Sequence, residues 1–299
     1  RKSKVDKTLF AKPLEPGVSF GEFLDALPNI LKARELREIV RAIGDARKAE
    51  KPVILMMGAH VIKCGLSPLV IDLIRRRIVT CVAMNGAGVI HDFEIALDGR
   101  TSEDVAAALK DGSFGMARET AGFINGAVKK GAARGQGFGE AMGEAIARER
   151  LRFKELSIAY ACRKRGIPLT VHVAIGTDIV HQHPDFSGAD TGAASAQDFR
   201  LLVREVARLN RGGVVLNFGS AVLMPEVFLK ALSVARNLTK RVAGFTTANF
   251  DMNVHYRPHQ NIVTRPVLDS GRGYYIVGHH EIMLPLLRQA VLERGGRAR

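Results

Sequence analysis

Apolar residues in this chain come in two rhythms that alternate. From Phe23 to Glu50 they recur at helical spacing (Leu24, Leu27, Ile30, Leu31, Leu36, Ile39, Val40, Ile43), which predicts an amphipathic helix or a pair broken at Pro28. Residues 1 to 20 ahead of it are basic, then Pro- and Gly-bearing, and read as an extended arm. At Pro52 the rhythm changes to a short continuous apolar run, Val53-Ile54-Leu55-Met56-Met57, closed by Gly58-Ala59-His60. Such a run suits a strand buried on both faces of a parallel sheet. The same strand, small-residue turn and helix then recur. Leu66 to Arg77 is predicted as a helix. Ile78 to Met84 is predicted as a strand ending in Asn85-Gly86-Ala87-Gly88, with a further helix from Asp92 to Leu97.

A Gly/Ala-rich stretch from 111 to 148, mobile or closely packed, leads into a predicted helix from Phe138 to Cys162. The alternation resumes with strands at Ile167–Val173, Val214–Leu216, Val242–Phe245 and Tyr274–Val277, and helices at Ala196–Asn210, Pro225–Ala235 and Glu281–Arg294. This order predicts an α/β fold, a Rossmann-like doubly wound parallel sheet flanked by helices. With no repeat and no low-complexity linker, the expected organisation is an arm with helices over 1–50 and one dinucleotide-binding domain over 51–299.

Six predicted strands end in small or polar residues, where ligands bind in open parallel sheets. Small residues admit a ligand to the backbone, and helix N-termini attract phosphate. Gly58, Ala59, His60, Asn85, Gly86, Gly88, Asp92, Asp178, Gly219, Ser220, Thr247 and Ala248 are therefore candidate cofactor contacts. No GxGxxG and no P-loop is present. All nine histidines fall at these ends or in the loops beyond them. Imidazole titrates near neutrality, so His60, His91 and His279 are candidate proton acceptors. His181-x-His183 and the pair His255 and His259 have spacings that suit a metal, but no HExxH or carboxylate-rich pattern completes either, and no metal is expected.

Composition narrows the classes. A hydrophobic share of 46% supports a large core, and 25% charged residues is ordinary for a globular chain. Three cysteines without CxxC spacing argue against disulfides and zinc knuckles and point to a reducing, cytoplasmic setting. No apolar run reaches membrane-spanning length, and the charged start leads into no apolar leader segment. The net charge of +14 allows a polyanionic partner, but its clusters (Arg75-Arg76-Arg77, Lys129-Lys130, Arg163-Lys164-Arg165) sit at predicted helix ends, where cations are favoured anyway. Aromatics at 6% and the absence of Trp disfavour stacking on single strands, so nucleic acid is not the expected partner.

From about residue 50 to 295 the chain resembles deoxyhypusine synthase and its NAD-binding relatives. The likeness is carried by several turns. Gly58-Ala59-His60-Val61-Ile62-Lys63-Cys64-Gly65 stands where that family has a Thr-Ser-Asn turn. Asn85-Gly86-Ala87-Gly88-Val89-Ile90-His91-Asp92 stands where it has a Thr-Ala-Gly-Gly turn followed by acids. The strand leading to Asp178, Asn217-Phe218-Gly219-Ser220, Thr247-Ala248 and the closing Leu284-Pro285-Leu286-Leu287 match further elements. The same half is similar to the NAD-binding part of bifunctional ornithine-processing enzymes. The resemblance implies NAD bound at these turns and a homo-oligomer, dimer or tetramer.

It also exposes a departure. The family's lysine, which holds an imine intermediate within a Glu-Ala-Val-Ser-Trp-Gly-Lys motif, is replaced in Gln260-Asn261-Ile262-Val263-Thr264-Arg265-Pro266. A guanidinium cannot form a Schiff base. The family's acidic substrate contacts are replaced too, with His181 and Leu223 near two of the positions.

The expected function is an NAD-dependent hydride and proton transfer on a small amine or amino-acid-like metabolite, not deoxyhypusine synthesis. Arg265 or Arg257 would clamp a carboxylate, and His181 would contact the substrate. A non-catalytic dinucleotide-binding or sensing protein and a metal-dependent enzyme using the histidines are the alternatives.

Overall fold

A computed structural model describes residues 3–295; Arg1 and Lys2 of the predicted arm and residues 296–299 lie outside it. The N-terminal segment is largely exposed. Helix α1 (Phe20–Ala26) starts in a capping box, with Ser19 and Glu22 each satisfying the other's backbone. Pro28 separates it from α2 (Leu31–Lys48), and the Arg37 guanidinium holds that junction by donating to the carbonyls of Leu24, Leu27 and Pro28.

Six strands follow: β1 (Val53–Met57), β2 (Cys81–Asn85), β3 (Leu169–His172), β4 (Val214–Phe218), β5 (Phe245–Asp251) and β6 (Gly271–Val277). All pairs are parallel, in the order β3-β2-β1-β4-β5-β6. The chain winds outward from β1 in one direction and from β4 in the other, which is a doubly wound sheet with its switch point between β1 and β4.

Alternation along β1 explains why its whole run is apolar. Val53, Leu55 and Met57 face a core shared with α1, α2, α4 (Ser67–Arg75), α5 (Gly86–Asp98), α9 (Ile158–Arg165) and α13 (His280–Arg294). Ile54 and Met56 face a second core against α10 (Gly188–Ala207) and α11 (Leu223–Thr239). A strand covered on both faces favours an unbroken apolar run.

Several predicted elements change. The strand foreseen at Val242–Phe245 begins at Phe245 and runs to Asp251, so Thr246, Thr247, Ala248 and Asn249 lie within the sheet rather than in a turn after it. The predicted helix from Phe138 to Cys162 is two helices, α8 (Phe138–Arg148) and α9. Between them Glu149 turns extended and the Phe153 amide donates to the Ala96 carbonyl, tying the break to the end of α5. The Gly-rich stretch is ordered, forming α7 (Arg118–Ala132) and α8. Gly139 shows why: a Cβ there would lie 2.1 Å from the Leu169 carbonyl oxygen, so glycine lets α8 lie directly on β3. The short helices α3 (His60–Lys63), α6 (Val105–Ala108) and α12 (Tyr256–Pro258) complete the set.

Candidate active site at the carboxyl edge of the sheet

The switch point is a place of close backbone approach on the carboxyl edge. Gly58, after β1, donates its amide to Phe218 O at 3.0 Å, and a Cβ on it would lie 2.2 Å from the Gly219 carbonyl oxygen. Gly219, after β4, has φ +64, a left-handed conformation that favours glycine. A Cβ there would lie 2.7 Å from His280 Nε2. Ser220 is committed to structure, its hydroxyl accepting from the Met224 amide at the start of α11.

Above these glycines sit four groups. The His280 ring is 1% exposed, with its centroid 5.7 Å from that of His60 and 6.2 Å from that of Phe218. Its Nδ1 is buried without a hydrogen-bond partner. Burial lowers the His280 pKa, against the opposing pull of Asp251, so the ring is neutral at pH 7. His60 Nε2 lies 3.3 Å from Cys64 Sγ. Burial, helped by Glu281, raises the Cys64 pKa, so a thiol and not a thiolate faces the imidazole. Asp251, buried at the end of β5, lies 3.7 Å from His255.

His279, the histidine favoured from the sequence, points away. Its side chain is 63% exposed and pairs with Glu281 at 3.8 Å. The doublet at the β6–α13 turn offers one residue to solvent and one to the crevice, and the sequence does not say which.

A second concavity, about 190 Å3, opens beside the start of α5 and is lined by Lys63, His91, Glu94, Glu103, Phe114 and Asp178 among others. Asn85 caps α5, its Oδ1 accepting from the Gly88 amide at 3.0 Å. Asp178 fills the space beside Gly86, where a Cβ would stand 2.0 Å from its Oδ2, and it accepts from the Ala87 amide. Burial lifts Asp178 to about 6 despite that bond and the nearby His91. Behind it runs a chain of three groups. The Thr101 hydroxyl donates to Glu94, and His91 Nδ1 lies 2.6 Å from the same hydroxyl oxygen. Having given its proton to Glu94, Thr101 can only accept, so Nδ1 carries the proton and Nε2 is left as the ring's acceptor. Burial alone would raise Glu94, but hydrogen bonds from His91 and Thr101 outweigh it and hold its pKa below the usual value.

Several sequence candidates have other work. Asp92 is 1% exposed and turned inward, because α5 starts at Gly86 and carries it into the second turn. Its carboxylate accepts from Ser157 Oγ, Ile158 N and Ala159 N, capping α9, and burial lifts its pKa to about 6 against those three bonds. We therefore expect Asp92→Ala to lower unfolding free energy by about 2 kcal/mol, a full helix cap, in urea titrations. An unchanged midpoint would reopen its role as a ligand contact.

Thr247 and Ala248 are fully buried inside β5, and the Thr247 hydroxyl donates to the Ile262 carbonyl at 2.6 Å, so neither faces the edge. His181 Nδ1 accepts from the amides of Gly176 and Asp178, which organises the loop after β3 and leaves the ring 5% exposed. Arg257 pairs with Glu226 at 3.3 Å, and Arg265 donates to Asn261 and Tyr256, both beside α11 rather than at the histidines. Among the described residues no three His, Cys, Asp or Glu side chains converge to hold a metal, and no helix is long and apolar enough to cross a membrane.

No protein-family model matches the chain, and no curated protein is similar enough in sequence to be matched to it. Solved structures are. An Entamoeba histolytica protein provisionally assigned as a deoxyhypusine synthase superposes with TM-score 0.57 at 11% identity, over 96% of this chain and 98% of that one. ArgZ, an arginine dihydrolase from the ornithine–ammonia cycle in cyanobacteria, gives 0.55 at 17%, over 89% of this chain and 33% of its own. AgrE, solved in a ternary complex with ornithine and NAD+, gives 0.54 at 16%, over 88% and 34%. The chain thus spans about a third of the length of ArgZ and AgrE. The chain shares its fold with these solved structures.

Proposed function

We propose that this protein binds NAD across the carboxyl edge of its sheet and uses it in hydride and proton transfer on a small amine or amino-acid-like metabolite. The observation that carries this reading is the β1/β4 switch point. Two bare glycine turns meet there beneath a buried neutral His280 whose Nδ1 has no partner. An orphaned buried polar atom is costly unless a ligand completes it, and glycine backbone admits a cofactor that a side chain would block.

The residues fit the cofactor. Asp178 and His91 place polar groups in a pocket of a size that suits a ribose, whose hydroxyls an acidic side chain accepts. NAD, when bound, supplies the hydride acceptor. His60, exposed at the crevice, and His91 Nε2 are the atoms positioned to take a proton. The Cys64 thiol lies 3.3 Å from His60 Nε2 and holds the imidazole in place.

Deoxyhypusine synthesis is not the activity supported. The stretch that stands in place of the imine-forming lysine ends in Arg265, fixed by Asn261 and Tyr256. The resemblance further supports a homo-oligomer, which sedimentation of the NAD-loaded protein checks.

The test is melting with and without millimolar NAD. A ligand that binds only the folded state stabilises it by RT ln(1 + [L]/Kd), about 2.7 kcal/mol at a hundredfold excess. Asp178→Asn should reduce that shift, while Lys129→Ala, remote on α7, should not. A nucleotide-free preparation with no shift removes NAD from the reading.

A further inference from the structure

Every strand of the sheet is parallel, so the helices that return the chain between strands run the opposite way and end at the amino edge. Cations placed at helix ends, scattered in sequence, are thereby gathered on one side of the molecule. Between the ends of α2, α4 and α10 they surround a cleft of about 400 Å3 lined by Arg47, Lys48, Lys51, Arg76, Arg77 and Arg208, with Glu50 as its one carboxylate. That volume is in the range of small-molecule sites, and it is twice that of the pocket beside Asp178.

Helix dipoles explain some of this charge, and local carboxylates answer some of it: Arg76 pairs with Asp72 at 2.9 Å and Arg208 with Glu205 at 2.7 Å. Two facts remain. Arg47 and Lys51, both half-buried, pair with no carboxylate among the described residues. The chain also accepts backbone strain to keep charged side chains at this edge. Where helices hand over to strands, Glu50 (φ 51), Arg77 (φ 53), Arg211 (φ 60) and Lys240 (φ 61) all adopt the left-handed conformation. At the handover from α9 to β3 the same conformation is taken by Gly166 (φ 63), the residue that adopts it without penalty. Strain held by non-glycine residues along one edge, two of them in the cleft itself, points to a role for their side chains.

We propose that this amino-edge cleft binds a compact, multiply charged phosphate-bearing small molecule, at the opposite end of the sheet from the candidate dinucleotide site. The concavity, and the concentration of unanswered charge inside it, favour a small ligand over the backbone of a nucleic acid. The chain has no Trp and few aromatics on which bases could stack.

Inorganic tripolyphosphate is the probe, titrated calorimetrically from about 0.1 M salt upward, where the screening length is about 10 Å or less. Saturable binding to one site is expected, weakening steeply as salt rises. Arg47→Ala/Lys51→Ala should weaken it about 100-fold, about tenfold for each cation removed. Lys129→Ala/Lys130→Ala, which removes the same charge from α7, should leave it within about twofold, since distant surface charges are screened. Because neither Arg47 nor Lys51 pairs with a carboxylate among the described residues, that variant should melt with the parent. Equal weakening in both variants would reduce the site to net charge, absence of saturation would remove it, and tighter binding to duplex DNA than to tripolyphosphate would make the face a nucleic-acid surface. None of these readouts depends on whether NAD binds.

Discussion

Gly58→Ala is expected to destabilise the protein by about 3 kcal/mol, at the upper end of overpacking substitutions. The added methyl would stand 2.2 Å from the Gly219 carbonyl oxygen and 3.0 Å from its carbonyl carbon. These are backbone atoms of a neighbouring turn and cannot rotate away as a side-chain tip could. Relief requires prising apart the carboxyl ends of β1 and β4, at the expense of the amide bond from Gly58 to Phe218 O. Phe218 stacks on Phe250 at 4.3 Å between ring centroids, so displacement would be passed to β5. Gly122→Ala is the matching control. It lies exposed within α7, its added methyl would meet nothing within 4 Å, and alanine there should add up to about 1 kcal/mol through helix propensity. Urea unfolding of both variants makes the comparison. Equal midpoints would mean that the two turns do not touch.

The second large effect is a pH dependence carried by Asp198. This carboxyl is completely buried on α10, and its Oδ2 accepts from the amides of Gly139 and Val171 at 2.9 and 2.8 Å, joining α10 to α8 and β3. Its Oδ1 has no partner. Burial lifts its pKa from 3.8 to about 7, with the amides of Gly139, Val171 and Phe138 acting against it. Between pH 4 and 7 the native state therefore holds a proton that the unfolded state has lost. The group's contribution to stability is full below pH 4, falls as pH rises through 7, and is constant above. Asp198→Asn removes the titration, so the stability of the parent relative to the variant should fall by about 1.4 kcal/mol per pH unit across that window and level off by pH 8. Unfolding curves at half-unit intervals read this directly. A flat difference would show that Asp198 is ionised in the native state at little cost.

The alternation of apolar runs and glycine turns is enough to reveal a doubly wound parallel sheet, because a strand buried on both faces has a composition that few other elements share. What it cannot reveal is anything decided by distant partners. Thr247 and Asn249 look like turn residues until one sees what they bond inside the sheet: the Ile262 carbonyl for the first, and for the Oδ1 of the second the Asn217 side-chain amide on β4 at 2.6 Å. Asp92 reads as an exposed acid at a helix start only if the helix begins with it. The Asn85 cap starts α5 six residues earlier and rotates Asp92 toward α9. His60 is visible as a candidate, whereas His280 is hidden beside its exposed neighbour His279, since which member of a doublet faces inward depends on how α13 is docked. Asp251, Cys64 and Thr101 carry no local signal. The basic clusters are visible one at a time, but their convergence follows from strand order, which no single stretch encodes.

The carboxylate of Asp178 lies against Gly86 and takes the Ala87 amide, so the first turn of α5 already holds an anion supplied by the chain itself. A phosphate could reach that turn only by exchange, with one negative charge leaving as another arrives. Exchange of like charges changes the local field little, and its equilibrium should be nearly indifferent to ionic strength, unlike simple addition to a cationic cleft. Salt dependence alone would then tell the two ends of the sheet apart: a ligand whose affinity survives 500 mM salt (about a 4 Å screening length) reports on the α5 end, and one that is lost reports on the amino edge.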